Sequence, residues 1–428
     1  MNRYTCIIVT LLGIASCKGG TSLSDNDKTH EPSIPELDYT TGFVAPERIP
    51  VFSESEQGIS DAVTTFGLEI FDAVLQESAG ESIMYSPLSL SLALSMCLIG
   101  ADGETETQLS SLLGFEGYDK NDVASYYKAM IGRLMVLDKN VSFLSANALW
   151  YDNDFSIKEP YLRALGENFD ASAFKMDFDE PQILMDAINN WVSEKTRGTI
   201  KEMAKNAPSK PVLFANALYF KAGWAIEFED ELEEGVFNSV GGKEKADFFV
   251  SRNDFEYSSE GDYQIVLLPY GKLGESSFYE MAVVLPKKGV DVKHTMKWIK
   301  EAGIFRINAM DSGCEKSDVR VEMPCFKIES SLSSIRDLLS MECPAPFSQN
   351  DADFSGISEE RIFISDIAQK TYIKVDEKGT EASAVTEIAA TSTGESQPEP
   401  IVFRADHPFV FLIREKETKS NIFIGVKQ

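Results

Sequence analysis

Apolar residues recur at helical spacing along the first half of the chain. Within residues 59–75 they fall three or four positions apart, which predicts an amphipathic helix. Residues 88–99 are almost wholly apolar and follow Ser86-Pro87, an N-cap with proline at the first helical position, so they predict a buried helix. The same spacing predicts further helices over residues 102–113, 122–137, 180–196, 294–302 and 332–339.

Strand patterns dominate the second half of the chain. Residues 212–220 are too apolar to have a polar face, so this strand is predicted to lie in the middle of a sheet. Helices that come first and strands that follow, without a βαβ rhythm, predict the α+β class and a single domain over residues 59–428. Other strands are predicted over residues 141–151, 171–178, 244–249, 263–270, 278–285, 320–327, 362–375, 402–403, 409–414 and 422–426.

One stretch, residues 377–393, has the alternation of a strand but continues into a loop. Thr380, Ala382 and Ala384 share one side with Thr386 and Ile388. Residues 394–400, with the sequence Gly-Glu-Ser-Gln-Pro-Glu-Pro, have loop composition. The pattern therefore allows two interpretations, an edge strand followed by a surface loop or a loop that can become a strand.

The N-terminus has the pattern of a targeting segment. Arg3 gives a positive start, and residues 6–15 are an apolar run too short to span a membrane. This run ends in Ile14-Ala15-Ser16-Cys17, which resembles a bacterial lipoprotein cleavage box; a plain secretory signal is the alternative. The resemblance implies a signal peptide over residues 1–16, a lipid on Cys17 and a flexible tether over residues 17–58. The expected location is the cell envelope, on an outer membrane facing the periplasm or the outside, or secretion.

The charge of the chain limits its partners. With 68 acidic and 40 basic residues the formal net charge is −28, which argues against nucleic acid and against sustained contact with anionic lipid. Membrane contact is therefore expected only through the lipid anchor. Basic residues within 122–139 are scattered, so no polyanion-binding helix and no glycosaminoglycan partner are expected.

The cysteines and histidines give little sign of chemistry. Besides Cys6 and Cys17 the chain has Cys97, expected to be buried, and three others whose pairing the sequence leaves open, Cys314, Cys325 and Cys343. The three histidines, His30, His294 and His407, have no supporting context for a Ser-His-Asp arrangement. The sequence contains no metalloprotease, phosphate-loop, dinucleotide-binding or nucleophile-elbow motif, so an enzyme, a metal and a cofactor are not expected.

Several motifs resemble those of the serpins, a family of serine protease inhibitors. Residues 375–384, Val-Asp-Glu-Lys-Gly-Thr-Glu-Ala-Ser-Ala, are similar to the serpin hinge, and residues 403–413 are similar to the C-terminal signature. Residues 85–89 resemble the shutter helix, and residues 214–224 resemble the central strand with the breach tryptophan. Residues 324–328 and 354–357 also resemble serpin motifs. The resemblance covers residue 59 to the end and implies a large mixed central sheet, further sheets and an exposed reactive-centre loop over about residues 377–402.

The resemblance also implies roles for individual residues. The hinge residues implied are Glu377, Gly379, Thr380, Glu381, Ala382, Ser383 and Ala384, and the shutter and breach residues implied are Ser86, Ser89, Asn216, Trp224 and Gln369. Gln369 stands where many serpins carry a histidine, and its amide can still donate and accept hydrogen bonds.

The resemblance implies that the chain acts as a suicide substrate and stays covalently joined to its protease. Counting along the loop, as in the family, puts the scissile bond at Thr393-Gly394, with Ser392 and Glu395 as alternatives. Between Gly379 and Val402 the loop has no Arg, Lys, Phe, Tyr, Leu or Met, which favours an elastase-like target that accepts small residues. A glutamyl-specific or cysteine protease target and a non-inhibitory binding protein stay open, and a monomer is expected.

Overall fold

The computed structural model describes residues 36–39, 42–203, 212–272, 274–301, 313–331, 335–364, 367, 369–380 and 399–428, all within one compact unit, Ile34–Gln428. The predicted signal peptide, Cys17, the loop residues Glu381, Ala382, Ser383 and Ala384, and the scissile-bond candidates Ser392, Thr393, Gly394 and Glu395 lie outside the described residues. In the described part of the chain, no helix is long and apolar enough to cross a membrane.

Local signals set the helix ends. Ser53 and Glu56 form a capping box at the start of the first helix, and Ser86 accepts a hydrogen bond from the Ser89 N–H at the start of the second. Gly114, with φ 71°, ends the third helix in the left-handed conformation. The described helices are α1 Glu54–Glu77, α2 Pro87–Leu98, α3 Gly103–Leu113, α4 Lys120–Val136, α5 Glu159–Phe169, α6 Pro181–Lys195, α7 Val292–Glu301 and α8 Ile335–Glu342.

A seven-stranded mixed sheet forms the middle of the molecule. Its strands, in spatial order, are β1 Glu36–Tyr39, β4 Ala171–Met176, β3 Ser142–Asp152, β5 Val212–Gly223, β13 Gly379–Thr380, β12 Lys370–Asp376 and β11 Phe326–Ser331. β3 and β4 are parallel and the other pairs are antiparallel. The strand predicted over residues 212–220 therefore lies in the middle of a sheet, as its apolar composition requires.

A second sheet of nine strands packs against the first. Its path runs β14 Ile401–Arg404, β10 Glu315–Pro324, β7 Gly242–Glu260, β8 Tyr263–Tyr270, β9 Tyr279–Pro286, β15 Phe409–Glu415, β16 Asn421–Lys427 and β2 Ile83–Tyr85, with β6 Glu233–Ser239 paired to β7. The main core contains buried residues of both sheets and of helices α1 to α5, α7 and α8. The other face of the seven-stranded sheet is covered by α6, whose Trp191 meets Trp150 of β3 edge to face at 6.2 Å. The α+β prediction is confirmed.

Two predicted strands differ from the structure, and one helix of the structure was not predicted. The strand predicted over residues 320–327 is two strands in different sheets, β10 and β11, which separate at Cys325 directly after Pro324. Among the described residues of the strand predicted over 362–375, only those of β12 form a strand; the Ile364 N–H donates to the carbonyl of Pro346 outside either sheet. Helix α5 was not predicted, although its apolar residues Tyr161, Leu162, Leu165 and Phe169 have helical spacing.

Residues 36–58 also differ from the predicted flexible tether. β1 pairs antiparallel with β4 at the edge of the seven-stranded sheet, and α1 begins at Glu54 rather than at residue 59. Between them, the Phe52 ring meets Tyr126 of α4 at 5.7 Å, and Arg133 donates a hydrogen bond of 2.9 Å to the Pro50 carbonyl. One aromatic side chain and one backbone carbonyl thus hold a segment whose overall composition resembles a linker.

Candidate functional site

The predicted hinge begins as a strand between two strands of the seven-stranded sheet. A two-residue turn, Glu377-Lys378, joins β12 to β13. Gly379 lies opposite Asp376 of β12 and Gly223 of β5, and the next residue, Thr380, continues both ladders. The first two residues after the turn therefore already occupy the space between β5 and β12.

Gly379 is required at this position by both conformation and space. Its φ is +134°, a region that residues with a side chain rarely adopt. A Cβ placed on Gly379 would lie 2.2 Å from the carbonyl oxygen of Ala222 and 2.8 Å from the Cα of Gly223. Since both neighbours are backbone atoms of β5, they cannot move aside as a side chain could.

Thr380 is buried and reaches the second sheet. Its side-chain hydroxyl shares a hydrogen bond of 2.6 Å with the hydroxyl of Tyr270 on β8, and Thr380 is only 2% exposed. Burial raises the pKa of Tyr270, and the hydrogen bond to Thr380 opposes this effect only in part. Tyr270 is therefore a neutral phenol that can either donate to or accept from the threonine.

Trp224, the predicted breach residue, holds the turn from the other side. Its indole Nε1–H donates to the carbonyl of Asp376 at 2.9 Å, and its backbone N–H donates to the carbonyl of Lys378 at 3.2 Å. The indole stacks on the Tyr270 ring with centroids 4.5 Å apart. Trp224, Gly379 and Thr380 thus form one contact group, which the sequence had assigned to two separate motifs.

Glu377 lies close enough to Cys325 to influence its thiol. Burial, together with the negative charges of Glu377, Asp376 and Asp247, raises the pKa of Cys325 to about 11. The thiol is therefore protonated at neutral pH. Within the described residues Cys97, Cys325 and Cys343 form no disulfide, so none joins the three cysteines that the sequence left open.

The predicted shutter residues meet beneath the centre of the seven-stranded sheet. Ser86 caps α2 by accepting from the Ser89 N–H at 3.1 Å, and the Ser89 hydroxyl donates to the side-chain oxygen of Asn216 on β5. All three residues are buried. The start of α2 is therefore connected by side chains to the strand that borders the hinge.

Gln369 joins the same group through Ser86. Its amide Nε2 donates to the Ser86 carbonyl at 2.9 Å, and its Oε1 accepts from the Ser86 N–H at 3.2 Å. Both halves of the amide are thus used, although Gln369 is only 5% exposed. Glutamine at this position satisfies two backbone groups at once.

The sequence did not identify Asn147 as part of this group. The Asn216 amide donates to Asn147 Oδ1, and Asn147 Nδ2 donates to the Phe169 carbonyl at 2.5 Å. A signal was present, because both strands contain Ala-Asn-Ala-Leu, at residues 146–149 and 215–218. The two asparagines face each other in the β3–β5 register.

The far side of the loop is held by charged residues. β14 runs parallel to β10, and Arg404 forms an ion pair with Glu322, a residue that is only 5% exposed. Arg320 pairs with the same carboxylate at 2.8 Å. Arg404 therefore ties the strand that follows the loop to β10, and Arg320, two residues before Glu322 on β10, pairs with the same buried carboxylate.

The histidines contribute no catalytic arrangement in the described residues. His294 is exposed on α7, and His407 lies in a bend with Nδ1 2.8 Å from Asp406 Oδ1 and Nε2 2.7 Å from the Pro286 carbonyl. Both ring nitrogens of His407 thus face oxygen acceptors. Within the described ranges no group of three or more histidine, cysteine or acidic residues could hold a metal ion.

Comparison with known proteins identifies the family. The family model described as Serpin (serine protease inhibitor) matches residues 61–427. Iripin-2 of Ixodes ricinus is 32% identical over 386 residues, which span 87% of this chain and 94% of that protein. The leukocyte elastase inhibitor of Xenopus tropicalis is 31% identical, over 86% of this chain and 98% of that protein.

Solved structures agree with this result. The thermophilic serpin tengpin in its native state matches with a TM-score of 0.78 at 27% identity, covering 92% of this chain and 98% of tengpin. The family model, the two relatives and the shared fold together show that the chain belongs to the serpin family.

Proposed function

We propose that the chain inhibits serine proteases as a suicide substrate. The observation that carries this proposal is the position of Gly379 and Thr380 between β5 and β12. The two-residue turn before them fixes the register of β13. A cut loop can therefore extend β13 residue by residue between strands that already flank its start.

The alternation of the hinge supports insertion. Thr380 points toward the core, since its hydroxyl reaches Tyr270 in the second sheet. Strand geometry then places Ala382 and Ala384 on the same side and Glu381 on the opposite side once the loop is inserted. Small uncharged residues fit the core side, whereas an unpaired carboxylate there would cost several kcal/mol or more.

The proposed reaction stops halfway through peptide hydrolysis. The protease serine oxygen bonds to the Thr393 carbonyl carbon, the bond to the Gly394 nitrogen breaks, and that nitrogen takes a proton from the protease histidine as it leaves. Inserting fourteen residues at about 3.3 Å each moves the acyl end about 46 Å. The protease moves with it and its active site is distorted. Losing one oxyanion donor alone slows such a reaction about a hundred- to a thousandfold.

The composition of the loop supports a target that accepts small residues. Thr393 and its neighbours offer no cation and no large apolar side chain to a specificity pocket. The similarity to proteins named leukocyte elastase inhibitor supports an elastase-like enzyme. A glutamyl-specific protease that uses Glu395, or a cut after Ser392, would give the same covalent product at a different bond.

The experiment is incubation of the protein lacking residues 1–16 with pancreatic elastase, followed by denaturing gels and mass mapping of the cut site. We expect a covalent band of summed mass and a cut after Thr393. Ala382→Arg should abolish the band because it places a cation on the core side of the inserted strand, whereas Ser383→Arg on the other side should keep it. Cleavage by elastase and by a glutamyl-specific protease without a covalent band would support a binding protein instead.

We also propose that the chain is a lipoprotein of the cell envelope that acts as a monomer. The motif ending in Cys17 supports lipid attachment, and the net charge of −28 disfavours direct adsorption to anionic lipid. Cys17→Ser should release the protein from the membrane fraction and abolish incorporation of labelled fatty acid. Membrane retention of the Cys17→Ser variant would exclude this anchor.

A further inference from the structure

We propose that Tyr270 is a positioning residue that holds the hinge in the sheet before the loop is cut, and so determines how efficiently insertion follows cleavage. The second half of this inference rests on the proposed inhibitory function; the first half concerns the intact protein alone. The motifs of the hinge and breach do not include Tyr270, which lies 110 positions from Thr380 in the chain.

The contact joins two buried hydroxyl groups. Thr380 and Tyr270 are 2% and 0% exposed, and their oxygens are 2.6 Å apart. Removing one hydroxyl leaves the other buried without this partner, which disfavours the buried position. The hydrogen bond therefore favours the state in which Thr380 lies between β5 and β12.

The tyrosine ring is itself fixed. It stacks on Trp224 at 4.5 Å and meets Phe220 of β5 edge to face at 5.2 Å. The backbone of Trp224 also forms an isolated bridge with that of Tyr270. Because these contacts fix the ring, the position of its hydroxyl is fixed as well. The hydrogen bond to this hydroxyl therefore favours one position of Thr380 over others.

This position matters for the competition that follows cleavage. After the protease forms its acyl bond, insertion competes with hydrolysis of that bond, which releases active protease and spent inhibitor. Thr380 already has the neighbours Ala222 and Val375 that an extended β13 would keep. Insertion therefore starts in register, and a hinge that had left the sheet would first have to return to it while hydrolysis continued.

Tyr279 provides a matched control. It is also fully buried, its ring meets Phe220 at 5.6 Å, and its hydroxyl donates to the Leu134 carbonyl at 3.2 Å. Tyr279→Phe removes the same atom from the same aromatic cluster without touching the hinge. Thr380→Ser keeps the hinge hydroxyl, whereas Thr380→Val removes it and preserves the shape of the side chain.

The first measurement is amide hydrogen exchange of the intact protein at Gly379 and Thr380, with no protease present. Tyr270→Phe and Thr380→Val should each speed exchange there about fivefold, the factor that one net hydrogen bond contributes to an equilibrium. Tyr279→Phe and Thr380→Ser should exchange there like the wild type. Unchanged exchange in Tyr270→Phe would overturn the inference whether or not the protein inhibits a protease.

The second measurement is the number of inhibitor molecules consumed per elastase molecule trapped. Tyr270→Phe should raise this ratio at least twofold, and Tyr279→Phe should not change it. Faster exchange with an unchanged ratio would show that Tyr270 holds the hinge but does not set the outcome, which overturns the second half. A wild type that forms no covalent complex refutes the proposed function and with it that second half, while the exchange result still decides the first.

Discussion

Asn147 and Asn216 face each other on β3 and β5, and the Asn216 side-chain amide donates a hydrogen bond to Asn147 Oδ1. The Asn147 side-chain amide donates a hydrogen bond to the Phe169 carbonyl at the end of α5, and Asn216 Oδ1 accepts one from the Ser89 hydroxyl of α2. A buried chain of polar groups therefore crosses the centre of the seven-stranded sheet and joins it to two helices.

Replacing Asn147 should destabilise the protein. Asn147→Ala leaves the Asn216 amide and the Phe169 carbonyl without a partner in a buried site, at a cost of about 2 kcal/mol. The measurement is denaturant unfolding followed by circular dichroism. Asn253→Ala, at an exposed strand position, is the control and should change stability by less than about 0.5 kcal/mol. Equal effects at the two positions would mean that the buried chain contributes nothing.

Gly379→Ala should displace the hinge from the sheet. The added Cβ would lie 2.2 Å from the Ala222 carbonyl oxygen, and the φ of +134° adds strain. We expect the variant to be cut by elastase as an ordinary substrate, without a covalent band. Gly289→Ala separates the two causes, because Gly289 has φ +94° with open space around it. That control should still form the band, and a band from Gly379→Ala would contradict the steric argument.

Asp406 should make stability depend on pH in the acid range. Burial alone would raise the pKa of Asp406, but Lys288 and His407 together outweigh it and hold the pKa below its usual value. A lowered carboxyl pKa contributes stability above the unfolded value, about 3.9, and loses it as pH falls through the folded value.

The measurement is the thermal midpoint of the wild type and of Asp406→Asn between pH 7 and pH 2.5. Asp406→Asn should be less stable at pH 7, and the difference should shrink below about pH 4. Asp262→Asn is the control, because Asp262 forms an exposed pair with Lys287 that is expected to contribute little. A difference that stays constant with pH would show that the charge of Asp406 is not involved.

The register of β13 predicts the neighbours of Glu381 in a cut, inserted loop. Continuing both antiparallel registers by one residue would place Glu381 of an inserted loop opposite Lys374 on β12 and Lys221 on β5. Each exposed cross-strand pair should contribute about 0.5 kcal/mol. Lys221→Ala should therefore reduce the rise in thermal midpoint on loop cleavage, and should do so less in a Glu381→Gln background. Lys245→Ala, at an exposed site on β7, should leave the rise unchanged. Additive effects of the two changes would rule out this register.

Elements with strong local patterns could be predicted from the sequence. The strand over residues 263–270 coincides with β8, and the buried helix after Ser86-Pro87 is α2. The hinge and shutter roles rest on the family resemblance and stay predictions, although the close approach of backbones at Gly379 explains why its motif requires glycine there. Such features depend on residues near one another in the chain.

Features that depend on distant residues could not be predicted. The division of residues 320–327 between two sheets is decided by which strands lie beside β10 and β11, not by the local alternation. The contact between Tyr270 and Thr380 joins residues 110 positions apart, and nothing near Tyr270 distinguishes it from other tyrosines in apolar strands. The Asn147 contact had a local sign, the repeated Ala-Asn-Ala-Leu, but its meaning needed the pairing of β3 with β5.

β1 has a consequence for the behaviour of shortened chains. It occupies the outer side of β4, whose other side is paired with β3. A chain that begins at Gly42 would leave a row of N–H and C=O groups on β4 open to a strand of another molecule. Light scattering should show association of that chain, whereas a chain that begins at Ile34 keeps β1 and should stay monomeric. Proteolytic trimming of the N-terminal segment would then replace the edge strand β1, which has 4 residues, by the edge of β4, which has 6.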